Sequence, residues 1–191
     1  MKNLFIFGTL VAVFMGSMLH TSAQDEPMDA KAEASEESSM PVIPQLLSSA
    51  KYLTNKKPNL KAQYYMFLRS ASWCVPCQIF VPRLLKDYSK MKGAKVELIF
   101  LGQEDEAVVK KYMDEHKYKC PGVMPGALGT IPGVKFEGLG YPSMCLVDAH
   151  GNFIACNGGT NMLKWRKIIK EHKKKEMLEK RAAKKKAASL E

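Results

Sequence analysis

The chain has 191 residues, 46% of them hydrophobic and 25% charged, with a formal net charge of +10. That length and apolar share exclude a segment too small to bury a core, and they allow one domain with appendages. The charge is uneven, with an acidic stretch near the start and lysines crowded at the end.

Met1-Lys2-Asn3 is a short positive start, Leu4 to Leu19 is apolar and uncharged, and Thr21-Ser22-Ala23 ends in small residues. The pattern predicts a signal peptide over residues 1–23, cut before Gln24. The apolar run is short for a spanning helix of about 20 residues. Export to the periplasm or beyond implies an oxidising compartment and argues against nucleic acid as a partner. Residues 24–44 carry Asp25, Glu26, Asp29, Glu33, Glu36 and Glu37 against Lys31. With few apolar residues, they predict a flexible acidic spacer. Pro41 to Pro44 is expected to break structure, and Gln45 to Leu53 to form a short helix. Asn55 to Pro58 then turns the chain into the folded domain, assigned to residues 45–172.

Tyr64-Tyr65-Met66-Phe67-Leu68 predicts a buried strand. Gln78 to Met91 predicts a helix, with Ile79, Phe80, Leu84, Leu85 and Tyr88 near helical spacing. Between them lies Trp73-Cys74-Val75-Pro76-Cys77. A Cys-x-x-Cys pair therefore falls where a strand hands over to a helix N-terminus. Free backbone N–H groups and the helix dipole favour negative charge there. The Cys74 thiol should titrate below its free value of about 8.5. Cys77, three residues on, shares the same helical face and can attack a mixed disulfide on Cys74. Pro76 costs little in a first turn. The chain has no second Cys-x-x-Cys and no His-x-x-x-His to complete a zinc site. Gln78, not His, follows Cys77, against covalent haem. Neither metal nor cofactor is expected, while a purely structural Cys74–Cys77 bridge stays open.

Ala94 to Leu101 predicts a strand, and Glu104 to His116 an amphipathic helix with Val108, Val109 and Tyr112 inward. Its acidic start suits the helix dipole. Lys119 to Gly140 is rich in Gly and Pro and reads as a long loop, either for partner recognition or as a plain surface insertion. Cys120 within it is expected as an exposed thiol, open to a mixed disulfide or inert. Ser143–Val147 and Phe153–Cys156 predict a hairpin around Asp148-Ala149-His150-Gly151-Asn152. With the loop at His150-Gly151, Cys145 falls opposite Cys156, as a structural disulfide or as two small buried residues. Gly158 to His172 predicts the last helix, with Met162, Leu163, Trp165, Ile168 and Ile169 on its apolar side. Residues 173–191 form a Lys-rich tail, with Lys173-Lys174-Lys175 and Lys184-Lys185-Lys186. It reads as a solvated helix, or as an electrostatic tether to an anionic envelope surface or acidic partner.

The run from Phe67 through Trp73-Cys74-Val75-Pro76-Cys77 resembles the thioredoxin superfamily, and more closely its tryparedoxin and nucleoredoxin branch. Phe80, Pro82, Leu84, Leu85 and Tyr88 are similar to that branch's first-helix pattern. Lys95 to Leu101 with Gln103-Glu104-Asp105-Glu106 looks like its next strand and helix start. Gly140-Tyr141-Pro142-Ser143 to Asp148 looks like the segment carrying its cis-proline. The resemblance spans about Leu46 to His172. It implies an α/β, thioredoxin-like fold: a central mixed β-sheet flanked by helices, with a long Gly/Pro-rich insertion before the cis-proline strand. It further implies a cis Pro142 against Cys74, and substrate binding by Trp73, Pro76, Tyr141 and Pro142. Cys74 would be the nucleophile and Cys77 the resolving thiol of a thiol–disulfide oxidoreductase. Its partners would be protein thiols or disulfides and an electron-donor or acceptor protein. Two residues depart from the pattern. Leu68 stands where thioredoxin keeps a buried acid, and Tyr141 where a small or β-branched residue is common, which predicts an altered groove. The alternative function is a redox-inactive binding or adaptor module using residues 119–140 and the basic tail.

Overall fold

A computed structural model describes residues 40–188. The expected signal peptide, most of the acidic spacer and residues 189–191 lie outside the described residues. In chain order the elements are α1 (Val42–Ser48), β1 (Tyr64–Arg69), α2 (Val75–Leu85), α3 (Tyr88–Gly93), β2 (Val96–Leu101), α4 (Glu106–Glu115), β3 (Gly122–Val123), β4 (Ser143–Asp148), β5 (Phe153–Gly158) and α5 (Trp165–Ala188). The five strands form one sheet in the order β3-β2-β1-β4-β5. β1 and β2 are parallel, as are β2 and β3, while β4 runs antiparallel to both β1 and β5. This is the mixed sheet that the resemblance implies.

The sheet is covered on both faces, so its central strands read as near-continuous apolar runs. On one face, Tyr64, Met66, Leu68, Val96, Leu98, Phe100, Met144 and Leu146 pack with Val81 and Leu84 of α2, Met91 of α3, Val109 of α4, and Trp165 and Ile169 of α5. On the other, Tyr65, Phe67, Ile99, Leu101 and Val147 meet Ile43 and Leu47 of α1. Ile131, Val134 and Phe136 of the Gly/Pro-rich segment pack on that second face. The segment is therefore part of the core covering. It also holds β3, a strand too short for a periodic signal. Cys120 just before β3 is fully buried, which corrects the expectation of an exposed thiol, and burial pushes its pKa up to about 12.

Several element ends differ from expectation. α1 begins at Val42 with Pro44 in its first turn, where a missing N–H breaks no helical bond. The expected helix from Gln78 to Met91 is two helices, α2 and α3. Asp87 holds the break between them, accepting from Trp165 Nε1 at 3.3 Å and pairing with Lys90 at 3.1 Å. Val108 and Ile79 are exposed, and Met113 packs inward from α4 beside Val109 and Tyr112. α5 runs without a break through residue 172, so the Lys-rich tail continues the last helix. His172 packs edge-on to Tyr64 there, with ring centroids 5.8 Å apart. No described helix is long and apolar enough to cross a membrane.

Glu97 is a buried acid inside β2, opposite Tyr65 and 1% exposed. Its Oε1 accepts from the Tyr88 hydroxyl at 2.7 Å. Burial raises its carboxyl pKa above the ordinary 4.5. The folded state then holds a proton that the unfolded state releases. Stability is complete below the unfolded pKa and falls as pH rises through the folded one. Glu97→Gln keeps an acceptor for Tyr88 and removes the charge. We expect a higher Tm at pH 7 and a flatter profile in thermal melts from about pH 4 to about pH 8. A lower Tm at pH 7 would show that the fold depends on the charge.

Candidate active site

Register builds the site at one edge of the sheet. Arg69 lies beside Leu101 in the parallel pair and beside Ser143 in the antiparallel pair. The chain leaving β1, the chain leaving β2 and the chain entering β4 therefore meet. The first carries Ser70 to Cys74, the second Gly102 to Asp105, and the third Tyr141-Pro142, joined by a cis peptide bond.

Cys74 is the N-cap of α2, with an extended backbone. Its Sγ accepts the Cys77 N–H at 3.2 Å, taking one of the donors that a helix start leaves free. The two sulfurs are at disulfide distance and their Cα atoms 5.2 Å apart. Cys74 keeps 4% exposure and Cys77 none. Trp73, 65% exposed, with exposed Val75, Pro76 and Ile79, makes an apolar collar there.

The cis-proline segment forms the facing wall. Pro142 is buried and Tyr141 half-buried. The Tyr141 ring meets Trp73 edge-on, with centroids 5.5 Å apart. The Arg69 guanidinium lies 4.7 Å from the ring centres of both Tyr141 and Phe136. It also donates to Ser143 Oγ at 3.2 Å and to the carbonyls of Phe136 and Leu139. One cation thus gathers the Phe136–Tyr141 segment against the end of β1.

Leu68 is fully buried at the position where the resemblance expects an acid, so β1 supplies no carboxylate to the pair. Cys145 and Cys156 are direct cross-strand partners, their Cα atoms 4.2 Å apart and their sulfurs in contact. The Lys135 N–H donates to Cys145 Sγ at 3.4 Å, so that pair lies against the Gly/Pro-rich segment. It does not join Cys74–Cys77.

Three polar residues at this edge carry no motif of their own. Arg69 reads as the end of a strand. Gln103 and Glu104 read as the acidic lead-in to a helix, yet Glu104 is hydrogen-bonded to Ser72 and Gln103 to Tyr141. The signal available was a Glu two residues before α4, too early to serve the helix dipole alone.

No family model matches the chain. Over 92 residues it is 32% identical to an Arabidopsis thaliana protein described as "Probable nucleoredoxin 1", covering 47% of this chain and 16% of that one. Over 89 residues it is 27% identical to the thiol-disulfide oxidoreductase ResA of Halalkalibacterium halodurans, covering 46% of this chain and 49% of that one. The chain thus spans half or less of the length of these relatives. Among solved structures, a DsbF homologue from Corynebacterium diphtheriae superposes with a TM-score of 0.50 at 16% identity, covering 64% of this chain and 82% of that one. The mixed sheet, the Cys-x-x-Cys helix cap and the cis-proline edge give the chain a thioredoxin-like fold.

Proposed function

We propose that the chain is an exported thiol–disulfide oxidoreductase for protein substrates, with Cys74 as attacking thiolate and Cys77 as resolving thiol. The observation that carries this reading is the Cys77 N–H aimed at Cys74 Sγ, 3.2 Å away, at the start of α2. A donor and a helix dipole at that sulfur favour its thiolate. In the reducing direction, Cys74 attacks one sulfur of a substrate disulfide. The substrate S–S bond breaks, and the departing sulfur leaves as a thiolate and takes a proton. Cys77 then loses its proton, attacks Cys74 Sγ and expels the second substrate thiolate. The substrate gains two electrons, and Cys74–Cys77 ends as a disulfide. Run backwards, the same steps oxidise a dithiol. An electron-donor or acceptor protein must restore the pair, and no bound cofactor is needed because the electrons stay on sulfur.

Substrate binding falls to Trp73, Pro76, Tyr141 and Pro142, two walls of one groove. Leu68 leaves Cys77 without a neighbouring carboxylate from β1 to take its proton. Resolution then relies on solvent, and mixed disulfides on Cys74 persist longer. Cys145–Cys156 serves as a structural bridge across the β4–β5 hairpin. We keep residues 1–23 as a leader, 24–44 as a spacer, 45–172 as the working domain and 173–191 as a tail. The leader pattern supports export.

The test is the reduction potential of Cys74–Cys77, from glutathione and dithiothreitol buffers with alkylated thiols counted by mass spectrometry. A value near about −270 mV makes the chain a reductase of the thioredoxin kind, and one near about −120 mV an oxidant. Cys74→Ala abolishes exchange with insulin, and Cys77→Ser accumulates mixed disulfides. A pair that stays oxidised throughout, with full activity in Cys74→Ala, would favour the redox-inactive adaptor.

The tail's proposed partner is an anionic envelope surface. A cleft of about 800 Å³ beside α5 is lined by Lys173, Lys180, Arg181 and Lys184, with Asp148 and Glu176 as its acidic residues. Replacing Lys173, Lys180, Arg181 and Lys184 with Gln should cut sedimentation with phosphatidylglycerol vesicles about tenfold or more at low salt. Parent binding should fade as salt rises. Equal sedimentation of both proteins would remove this role.

A further inference from the structure

Gln103 and Glu104 are neighbours on the loop between β2 and α4, and each reaches a different wall of the groove. Glu104 Oε2 accepts the Ser72 N–H at 2.6 Å, and its Oε1 accepts the Ser72 hydroxyl at 2.7 Å. The Ser72 carbonyl accepts from Gln78 Nε2 at 2.9 Å. The Cys74 N–H closes onto the Ala71 carbonyl at 3.3 Å, so Ser72 and Trp73 are the central residues of a turn. Every polar group of Ser72 is engaged. On the other side, Gln103 Oε1 accepts from the Tyr141 hydroxyl at 3.2 Å. Gln103 Nε2 donates to the Gly102 carbonyl at 2.9 Å, which fixes the amide's orientation.

The loop beneath the two side chains is itself held. The Gly102 N–H donates to the Val123 carbonyl at 2.9 Å. A Cβ on Gly102 would lie 2.8 Å from Val109 Cγ1, so backbone and α4 are in close contact there. A carboxylate with two short donors is also a stronger tie than a neutral pair.

We infer that Gln103 and Glu104 are positioning residues that set the width of the substrate groove. Glu104 holds the Ser72–Cys74 turn, and Gln103 holds Tyr141 ahead of Pro142. This rests on the thiol–disulfide reading above, which makes the groove's occupant an extended protein segment bearing the disulfide. Trp73 and Tyr141 touch only edge-on, a weak contact that an entering segment has to open. The Gln103–Glu104 loop fixes both walls from a third point, so the groove keeps its shape when that contact parts. Glu104 also governs the turn that ends in the Cys74 cap, whereas Gln103 acts on Tyr141 alone.

The full chain is compared with Glu104→Ala, Glu104→Gln and Gln103→Ala, each shown to be folded by circular dichroism. Two readouts need no turnover: the Cys74–Cys77 equilibrium constant with glutathione, and amide exchange at residues 72–74 and 139–141. The third is kcat and KM for insulin reduction. Glu104→Ala should shift the glutathione equilibrium constant by about fivefold or more and speed Ser72 amide exchange about a hundredfold. Glu104→Gln, which keeps an acceptor, should restore most of the exchange protection and carries the test if the alanine variant does not fold. Gln103→Ala should raise KM for insulin about five- to tenfold with kcat changed less than about twofold. It should loosen residues 139–141 and keep the glutathione equilibrium.

Unchanged equilibrium and Ser72 exchange in Glu104→Ala would overturn the Glu104 half. Unchanged KM and unchanged exchange at 139–141 in Gln103→Ala would overturn the Gln103 half. A parent chain that equilibrates with glutathione yet leaves insulin intact would instead overturn the protein-substrate reading. The exchange data would then still decide both positioning roles.

Discussion

Everything at the working edge depends on β1 having a parallel neighbour on one side and an antiparallel neighbour on the other, all in register at Arg69. Parallel pairing with β2 makes both strands end at the same edge. Antiparallel pairing with β4 makes that strand start there. The ends of two strands and the beginning of a third then present their loops together. A one-residue slip of β4 would turn every side chain on it to the opposite face. Met144 and Leu146 would leave one core and Cys145 and Val147 the other, so burial on both faces protects the register.

Given that edge, sulfur chemistry needs little more than a helix start. Cys74 occupies a capping position that other helices give to Ser, Thr, Asp or Asn, and in the proposed mechanism the cap donor is the group that would favour its thiolate. The polar residues around it form a frame rather than a proton relay. Arg69 gathers the Phe136–Tyr141 segment, Glu104 ties down Ser72, and Gln103 reaches Tyr141. Glu97, the buried acid among the described residues, belongs to another part of the molecule, near the start of β2 and bonded to Tyr88.

What was legible in the sequence was what short-range patterns encode. An aromatic strand followed by Cys-x-x-Cys announces the strand–helix handover, and the cis-proline strand was expected from the resemblance of Gly140 to Asp148. Cys145 does fall opposite Cys156, but by way of a register shift between Leu146 and Val147 that turn length does not encode. Other features had no such pattern. Glu97 sits inside Val-Glu-Leu-Ile-Phe-Leu, where only its distant partner Tyr88 explains an acid. β3 has two residues, below any periodicity. The break between α2 and α3 depends on Asp87 meeting Trp165, 78 residues away in the chain. Gln103 and Glu104 looked like helix-start polarity because their contacts cross from one loop to two others. The Gly/Pro-rich segment read as a loop for partner recognition or as a surface insertion, yet its Ile131, Val134 and Phe136 pack against the core on the second face.

The unbroken α5 has a consequence for how the domain is oriented. The helix passes Tyr64 at the beginning of β1, whereas the Cys74–Cys77 pair lies beyond Arg69 at its end, about 16 Å further along the strand. The helix carries its lysines on past Tyr64 as a charged handle. A partner on that handle would hold the molecule from behind with the Cys74 edge turned outward, so the proposed mooring and the proposed thiol exchange would not compete for surface.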